Sequence, residues 1–329
     1  MPQTFILPFS KISKRDVKLA GGKGASLGEM TQNKIPVPPG FVILAGAFDR
    51  FLAETDLKAD IPTQLKKVNY KDINSVEKAS KTIHDLIHDE RMPKDLQLLI
   101  LGEFKDLWSN SAYAPRKLGA SAGKFVAVRS SATAEDSSTA SWAGELETYL
   151  NTTEKNLLGR VKDCWSSLFT PRAIFYRFEK GLRNSKVSVA VVIQQMVDSE
   201  ISGITFTVHP VTKNKNQMII EAGFGLGEAI VSGQITPDSY VVDKRDFSII
   251  DINIAEQKKM LVKKPGSGNV WKDVHCRRKE CQKLNGQQII ALAKLCLQIE
   301  KHYGKPQDIE WAFAGGKFYI TQSRPITTL

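Results

Sequence analysis

The sequence predicts an α+β protein of two lobes, a mixed helical lobe followed by a sheet-rich one. Three observations carry this expectation. Residues 62–109 repeat apolar side chains at helical spacing, a second helical stripe runs over about 153–180, and from residue 188 onward apolar runs of strand length alternate with turns. A chain of 329 residues, 42% of them hydrophobic, is long enough to bury a core in each lobe. The change of character places the boundary near 186–189, which gives lobes of 1–188 and 189–329 with a helical insert in the first. No internal repeat is visible.

Each element has its own signal. In 62–109, Val76, Ala79, Ile83, Leu86 and Ile87 share one helical face, Pro93 breaks the pattern, and Leu96, Leu99, Ile100, Phe104 and Leu107 resume it. The segment YAPRKLGASAG, 113–123, reads as a loop, and FVAVR, 125–129, as a strand that delivers Arg129 to a hydroxyl-rich stretch. A long helix over 153–180 turns Leu157, Val161, Cys164, Trp165 and Leu168 inward, with Cys164 as a small buried hydrophobe. After the turn-like GLRNSK come five strand candidates, SVAVVIQQMV, GITFTVHP, QMIIEAG, SYVVD and FSIIDINI. A last helix, 286–303, ends at Gly304 and Pro306, and DIEWAFAGGKFYITQSRP closes the chain as a hairpin.

Composition excludes several classes. No apolar stretch approaches the length of a membrane span, and MPQTFILPFSKISK lacks the apolar core of a signal peptide, so the expected compartment is the cytoplasm. Four irregularly spaced cysteines do not make a disulfide framework in a chain of this length. The formal charge of +11 invites a polyanion, but residues 256–283 alone hold nine Lys or Arg against three Asp or Glu. One local basic loop therefore supplies most of the excess, which argues against nucleic acid as a partner. His275, Cys276 and Cys281 fit no common zinc spacing.

Three pieces carry chemistry. LAGGKGASLGEM, 19–30, is not a P-loop, because it has neither the spacing nor the order of G-x-x-x-x-G-K-[ST]. Its glycines would still allow close approach of an anion to a helix start, with Lys23 as a point charge; an ordinary Gly-rich helix entry reads the same way. The stretch after Arg129 has seven Ser or Thr in thirteen residues, then Gly144 and Thr148, and suits either a polyphosphate gripped by a guanidinium or a solvated loop.

The third piece is the closing hairpin, where Glu310, Gln322 and Arg324 offer an oxygen-donor pair for a hard cation beside a positive charge. Parity decides whether they meet. With Gly315-Gly316 as a two-residue turn and regular pairing, Glu310 faces Thr321, and Glu310 and Gln322 fall on opposite faces. A metal site therefore requires an odd loop or a bulge.

GGKGASLGEM, VPPGFVI, VRSSATAEDSSTASWAG, SGITFTVHPVT, FGLGEAIVSGQITPDSY, GKPQDIEW and YITQSRPIT, in this order, resemble the amino-terminal ATP-binding domain of the phosphoenolpyruvate synthase (pyruvate, water dikinase) family. Pyruvate phosphate dikinase and rifampin phosphotransferase share that domain. The resemblance implies an ATP-grasp-like fold, in which two α+β lobes hold ATP in a cleft. It implies that Lys23, Arg129 and Arg324 contact the phosphates, that Gly144 and Thr148 belong to the phosphate-covering loop, that Gln194 lies beside the adenine, and that Glu310 and Gln322 bind Mg2+. The loop departs from the family where Ser137-Ser138 replace Leu-Pro and Trp142 replaces Phe.

The family passes phosphate to a histidine on a separate domain. The five histidines here lie in TIHDL, LIHDE, TVHPV, DVHCR and EKHYG, none of them in a small-residue, Gly-rich setting. The expected partner is therefore a phosphohistidine-domain protein or further domains of the same enzyme. Three alternatives stand beside this reading: the antibiotic-phosphorylating relative, a nucleotide-binding module without catalysis, and a polyanion binder using 256–283.

Overall fold

The computed structural model describes residues 4–109, 124–133, 136–137, 140–141, 147–181, 188–264, 266 and 268–327. The α+β expectation holds. The chain divides into two compact units, residues 1–29 with 39–196, and residues 30–38 with 197–329.

Unit 1 contains β1 (Ile6–Pro8), most of α1 (Val17–Gln32), β2 (Gly40–Ile43), α2 (Ala45–Ala53), α3 (Leu57–Lys66), α4 (Ile73–Asp89) and α5 (Lys94–Ser109). It continues with β3 (Val126–Ala132), the short pair β4 (Asp136–Ser137) and β5 (Ala140–Ser141), β6 (Thr148–Thr152), α6 (Glu154–Ser166), α7 (Pro171–Glu179) and β7 (Val189–Gln195). Its main sheet runs β1-β2-β7-β3-β6 with every neighbour antiparallel. Strand β7 lies at the middle of this sheet. The boundary read from the sequence at 188/189 is therefore misplaced: the change to strand-forming residues marks the last strand of unit 1, and the division falls after Met196.

Alternation sends Phe41, Ile43, Val126, Val128, Val191 and Ile193 into one core with the buried stripes of α4, α5 and α6. Phe48 and Phe51 stack on Trp165 at ring separations of 5.4 and 5.1 Å. The helical stripe through Leu157, Val161, Cys164, Trp165 and Leu168 is fully buried, as its spacing predicts. The single helix expected over 153–180 is two. Thr170 is extended, its side chain accepts from the N–H of Ala173, and Pro171 opens α7, where a missing N–H costs nothing.

Unit 2 contains β8 (Ile201–Phe206), β9 (Gln217–Phe224), the one-turn α8 (Glu228–Val231), β10 (Asp238–Asp243), β11 (Ile249–Asn253), β12 (Lys259–Lys263), β13 (Asn269–Asp273), α9 (Gly286–Tyr303), β14 (Gln307–Ala314) and β15 (Lys317–Pro325). Its large sheet is antiparallel throughout, in the order β11-β10-β9-β8-β14-β15. The row Ser323, Ile309, Thr205, Ile220 and Tyr240 crosses this sheet on its buried face. That face packs on α9 through Ile289, Leu292, Cys296 and Ile299. A capping box of Asn285 with Gln288 starts α9, and Gly304, at φ 67°, ends it in the left-handed region.

The basic segment 256–283 is not simply a loop. Within it β12 and β13 pair in register from Lys259–Asp273 to Lys263–Asn269, and Lys283 is buried. Among the described residues, no helix is long and apolar enough to cross a membrane.

Candidate nucleotide and metal site

The candidate residues fall into two sets, one in each unit. In unit 1 the set is built on the sheet face opposite the helical core. Arg129 pairs with Val192 on one side and Thr148 on the other, and Ala127 pairs with Gln194, so Arg129, Thr148 and Gln194 share a face. Arg129 is nearly buried, at 8% exposure. Gln194 is buried too, and among the described residues its Nε2 has no hydrogen-bond partner. A buried amide nitrogen left in this way costs about 1–3 kcal/mol unless something supplies an acceptor.

The glycine run that carries Lys23 packs against the same face. Gly21 breaks α1 with φ 69° and ψ 172°. A Cβ there would meet Ser131 Oγ at 2.2 Å. The N–H of Gly24 donates to that Oγ at 3.2 Å, and a Cβ on Gly24 would lie 3.1 Å from Val42. Ser131 alternates with Arg129 along β3, and Val42 pairs with Val192, so both belong to the Arg129 face. Lys23 sits between the two glycines that touch it. Gly21 and Gly24 thus serve close approach to the protein's own strands.

Gly21→Ala is accordingly expected to lower stability by roughly 2–4 kcal/mol, adding left-handed strain to a clash with a backbone that has no room to move. Gly102→Ala, inside α5 where an added Cβ meets nothing within 4 Å, should be neutral or stabilising by up to about 1 kcal/mol. Urea unfolding of the two variants side by side checks this; equal effects would mean that the kink at Gly21 is unimportant. Gly144 lies outside the described residues, as do Ser138, Trp142 and the 113–123 segment.

In unit 2 the hairpin answers the parity question. Ala314 pairs with Lys317, so the turn is the tight two-residue one, but the register shifts between Glu310 and Trp311. Trp311 pairs with Ile320 and Glu310 with Gln322, which leaves Thr321 as the extra residue of a bulge. Glu310 and Gln322 therefore stand directly opposite each other on one face. The next pair on that face is Asp308 with Arg324, whose Nε lies 2.8 Å from Asp308 Oδ2.

The rows continue across the sheet. Glu310 pairs with Ile204 and Ile204 with Glu221, so Glu221 looks out on the same face. Burial, and next the negative charge of Asp308, push the Glu221 carboxyl above its ordinary pKa. Three carboxylates and an amide oxygen thus share a face with Arg324. The donors are all oxygen and the acids outnumber the guanidinium, a combination that suits a hard divalent cation such as Mg2+. Sequence reasoning missed Asp308 and Glu221. Asp308 had a signal, two residues before Glu310 on a strand; Glu221, contributed from two strands away, had none.

Of the glycine-rich run 221–229, Gly223 and Gly225 serve packing, since Cβ atoms there would meet Ile235 at 2.9 Å and the Leu261 carbonyl at 2.4 Å. Asp238, in the ITPDSY motif, is committed to structure. Its carboxylate accepts from Tyr240 Oη, the backbone N–H groups of Ala255 and Lys283, and Lys283 Nζ at 2.7 Å.

Comparison with known proteins decides the family. The model for the pyruvate phosphate dikinase AMP/ATP-binding domain matches residues 17–329. The chain belongs to that family. Among curated relatives, a probable phosphoenolpyruvate synthase of Methanocaldococcus jannaschii is 45% identical over 99% of this chain and 27% of its own length. One of Archaeoglobus fulgidus is 47% identical over 98% of this chain and 42% of its own length. The rifampicin phosphotransferase of Bacillus subtilis is 37% identical over 99% of this chain and 36% of its own length. The chain therefore spans less than half of each of these relatives, and what the AMP/ATP-binding domain contributes must be separated from what their remaining lengths contribute.

Proposed function

We propose that this chain is the ATP-binding, phosphoryl-donating domain of a phosphoenolpyruvate-synthase-type dikinase, with an ATP-grasp-like fold. The observation that carries the reading is the Thr321 bulge, which sets Glu310 against Gln322 beside the Asp308–Arg324 pair in a chain of the AMP/ATP-binding family.

Phosphoryl transfer asks for in-line positioning and for charge neutralisation more than for a protein nucleophile. In this reading Lys23, Arg129 and Arg324 take the phosphate oxygens, Thr148 and Gly144 belong to the segment that covers them, and Gln194 offers its Nε2 to an acceptor on the base. Glu310 and Gln322 hold Mg2+, which when bound supplies positive charge to the phosphate oxygens. Asp308 keeps the Arg324 guanidinium in place.

The acceptor is a histidine elsewhere, on a partner protein or on further domains of the same enzyme. The whole reaction would be ATP, pyruvate and water giving phosphoenolpyruvate, AMP and phosphate, in the cytoplasm. Among the five histidines of this chain, His84 and His88 lie on α4, His209 accepts from the turn N–H of Val211, His275 caps a short turn and His302 lies on α9.

The test is to mix the chain with labelled ATP and a protein carrying a phosphohistidine domain. Label on the partner's histidine together with AMP supports the proposal. Mg-dependent ATP binding with no transfer to any such partner would favour a nucleotide-binding module, and phosphorylation of rifampicin through the same partner would favour the antibiotic-modifying relative. Gln194→Leu gives a second check: ATP affinity should fall about tenfold while stability is unchanged or slightly raised, because among the described residues its Nε2 has no hydrogen bond to lose. Calorimetric binding and thermal unfolding measure the two halves; equal losses in both would make Gln194 a structural residue.

A further inference from the structure

Unit 1 carries a second cluster of metal-ligating side chains, remote in kind from the oxygen donors of the hairpin. His84 and His88 lie one turn apart on α4, and Asp163 lies on α6, which packs against it. The imidazole rings stack with centroids 4.3 Å apart and 21° between planes, so they present their edges in parallel. Both Nε2 atoms converge on one carboxylate oxygen, Asp163 Oδ1, at 4.0 Å from His84 and 3.0 Å from His88.

We propose that His84, His88 and Asp163 form a binding site for a divalent transition-metal ion of the zinc class, bridging α4 and α6. The three candidate ligand atoms all lie within 4.8 Å of one another. Ligands on a tetrahedral zinc with bonds of about 2.0–2.1 Å stand about 3.4 Å apart, so small side-chain rotations close the cluster on an ion. The His88 Nε2 is buried and, among the described residues, makes no hydrogen bond despite its 3.0 Å approach to Asp163. A cation between the two would satisfy both.

The surroundings suit this use. Arg160 holds the other carboxylate oxygen, Oδ2, at 2.9 Å, and its guanidinium rests over the Tyr149 ring, which orients Asp163 and leaves Oδ1 to the histidines. Asp85 stands 3.8 Å from Nδ1 of His84, on the side away from the cluster, where an outer carboxylate raises ligand basicity. Lys162, also on α6, has its ammonium taken by the carbonyl oxygens of His88 and Glu90. Mixed nitrogen and oxygen donors favour zinc, nickel or cobalt over Mg2+.

The test uses chelator-treated protein without nucleotide. Cobalt(II) titration followed by visible absorption, and zinc titration by calorimetry, should show one ion per chain, undisturbed by excess Mg2+. His84→Gln, at a half-exposed position that leaves the fold intact, and Asp163→Asn should each weaken binding about tenfold or more. Zinc should raise the unfolding temperature of the parent but not of His84→Gln. A Cys276→Ser, Cys281→Ser double variant should bind as the parent does, which separates this site from the exposed thiols near His275. Unchanged binding in His84→Gln and Asp163→Asn, or no stoichiometric zinc or cobalt binding by the parent, overturns the proposal.

Discussion

Glu310→Gln is expected to lower ATP-dependent phosphoryl transfer roughly a thousandfold, with the fold intact. The substitution keeps the shape of the side chain and removes its charge, and Gln322 opposite it supplies only a neutral oxygen. Loss of one carboxylate ligand from a hard-cation site costs several kcal/mol of charge stabilisation, and about 4 kcal/mol corresponds to three powers of ten in rate. Transfer of label to a histidine-bearing partner measures the rate, and ATP titration at several Mg2+ concentrations measures the coupling. In the parent, ATP affinity should rise with Mg2+; in Glu310→Gln that dependence should nearly vanish. If the variant keeps the full Mg2+ dependence, the cation is held elsewhere and the reading of the hairpin fails.

The largest effect on stability should come from Lys283→Met. Lys283 and Asp238 are both fully buried, 2.7 Å apart, and the ammonium also donates to the carbonyl of Ala255. A buried pair of this kind adds little over an apolar replacement of both partners, because desolvation offsets the attraction. Removing one partner alone strands the other charge and costs about 3–5 kcal/mol. Asp238 would keep its bonds from Tyr240 Oη and two backbone N–H groups, which places the expected loss at the lower end of that range. The double variant Asp238→Asn, Lys283→Met should recover part of the loss, whereas Lys258→Met, on the surface, should change stability by less than about 0.5 kcal/mol. Denaturant unfolding of the three decides it: a Lys283→Met variant as stable as Lys258→Met would show that the pair is not a structural tie.

The helical stripes were legible because burial repeats every three to four residues within a single element, as from Leu157 to Leu168. The break before Pro171 was written in the Thr-Pro pair, yet the apolar pattern continues through Leu168 and Phe169 into Ile174 and hides it. The boundary was misread because Val189–Gln195 has the composition of the strands that follow, and composition does not say which sheet a strand joins. The hairpin posed a choice that sequence could state and not resolve. Register is set by cross-strand packing, here Ile309 against Ser323 and Trp311 against Ile320, which forces Thr321 out of step. The glycine run announced a close approach, but its partner, Ser131, lies 107 residues from Gly24 and nothing local names it.

Residues 30–38 belong with unit 2, although the rest of that unit begins only at Val197. The backbone N–H of Ile320, on β15, donates to the carbonyl of Pro36 at 2.9 Å. During synthesis, then, a short early segment must wait for nearly the whole remaining chain before its own hydrogen bond can form. Closing so long a loop carries an entropic cost that no local contact offsets beforehand, so this closure should be among the slow, late events of folding. Unit 2 expressed from Val197 onward would lack that segment, and the natural way to obtain it is to restore residues 30–38 by a covalent link or as a separate peptide.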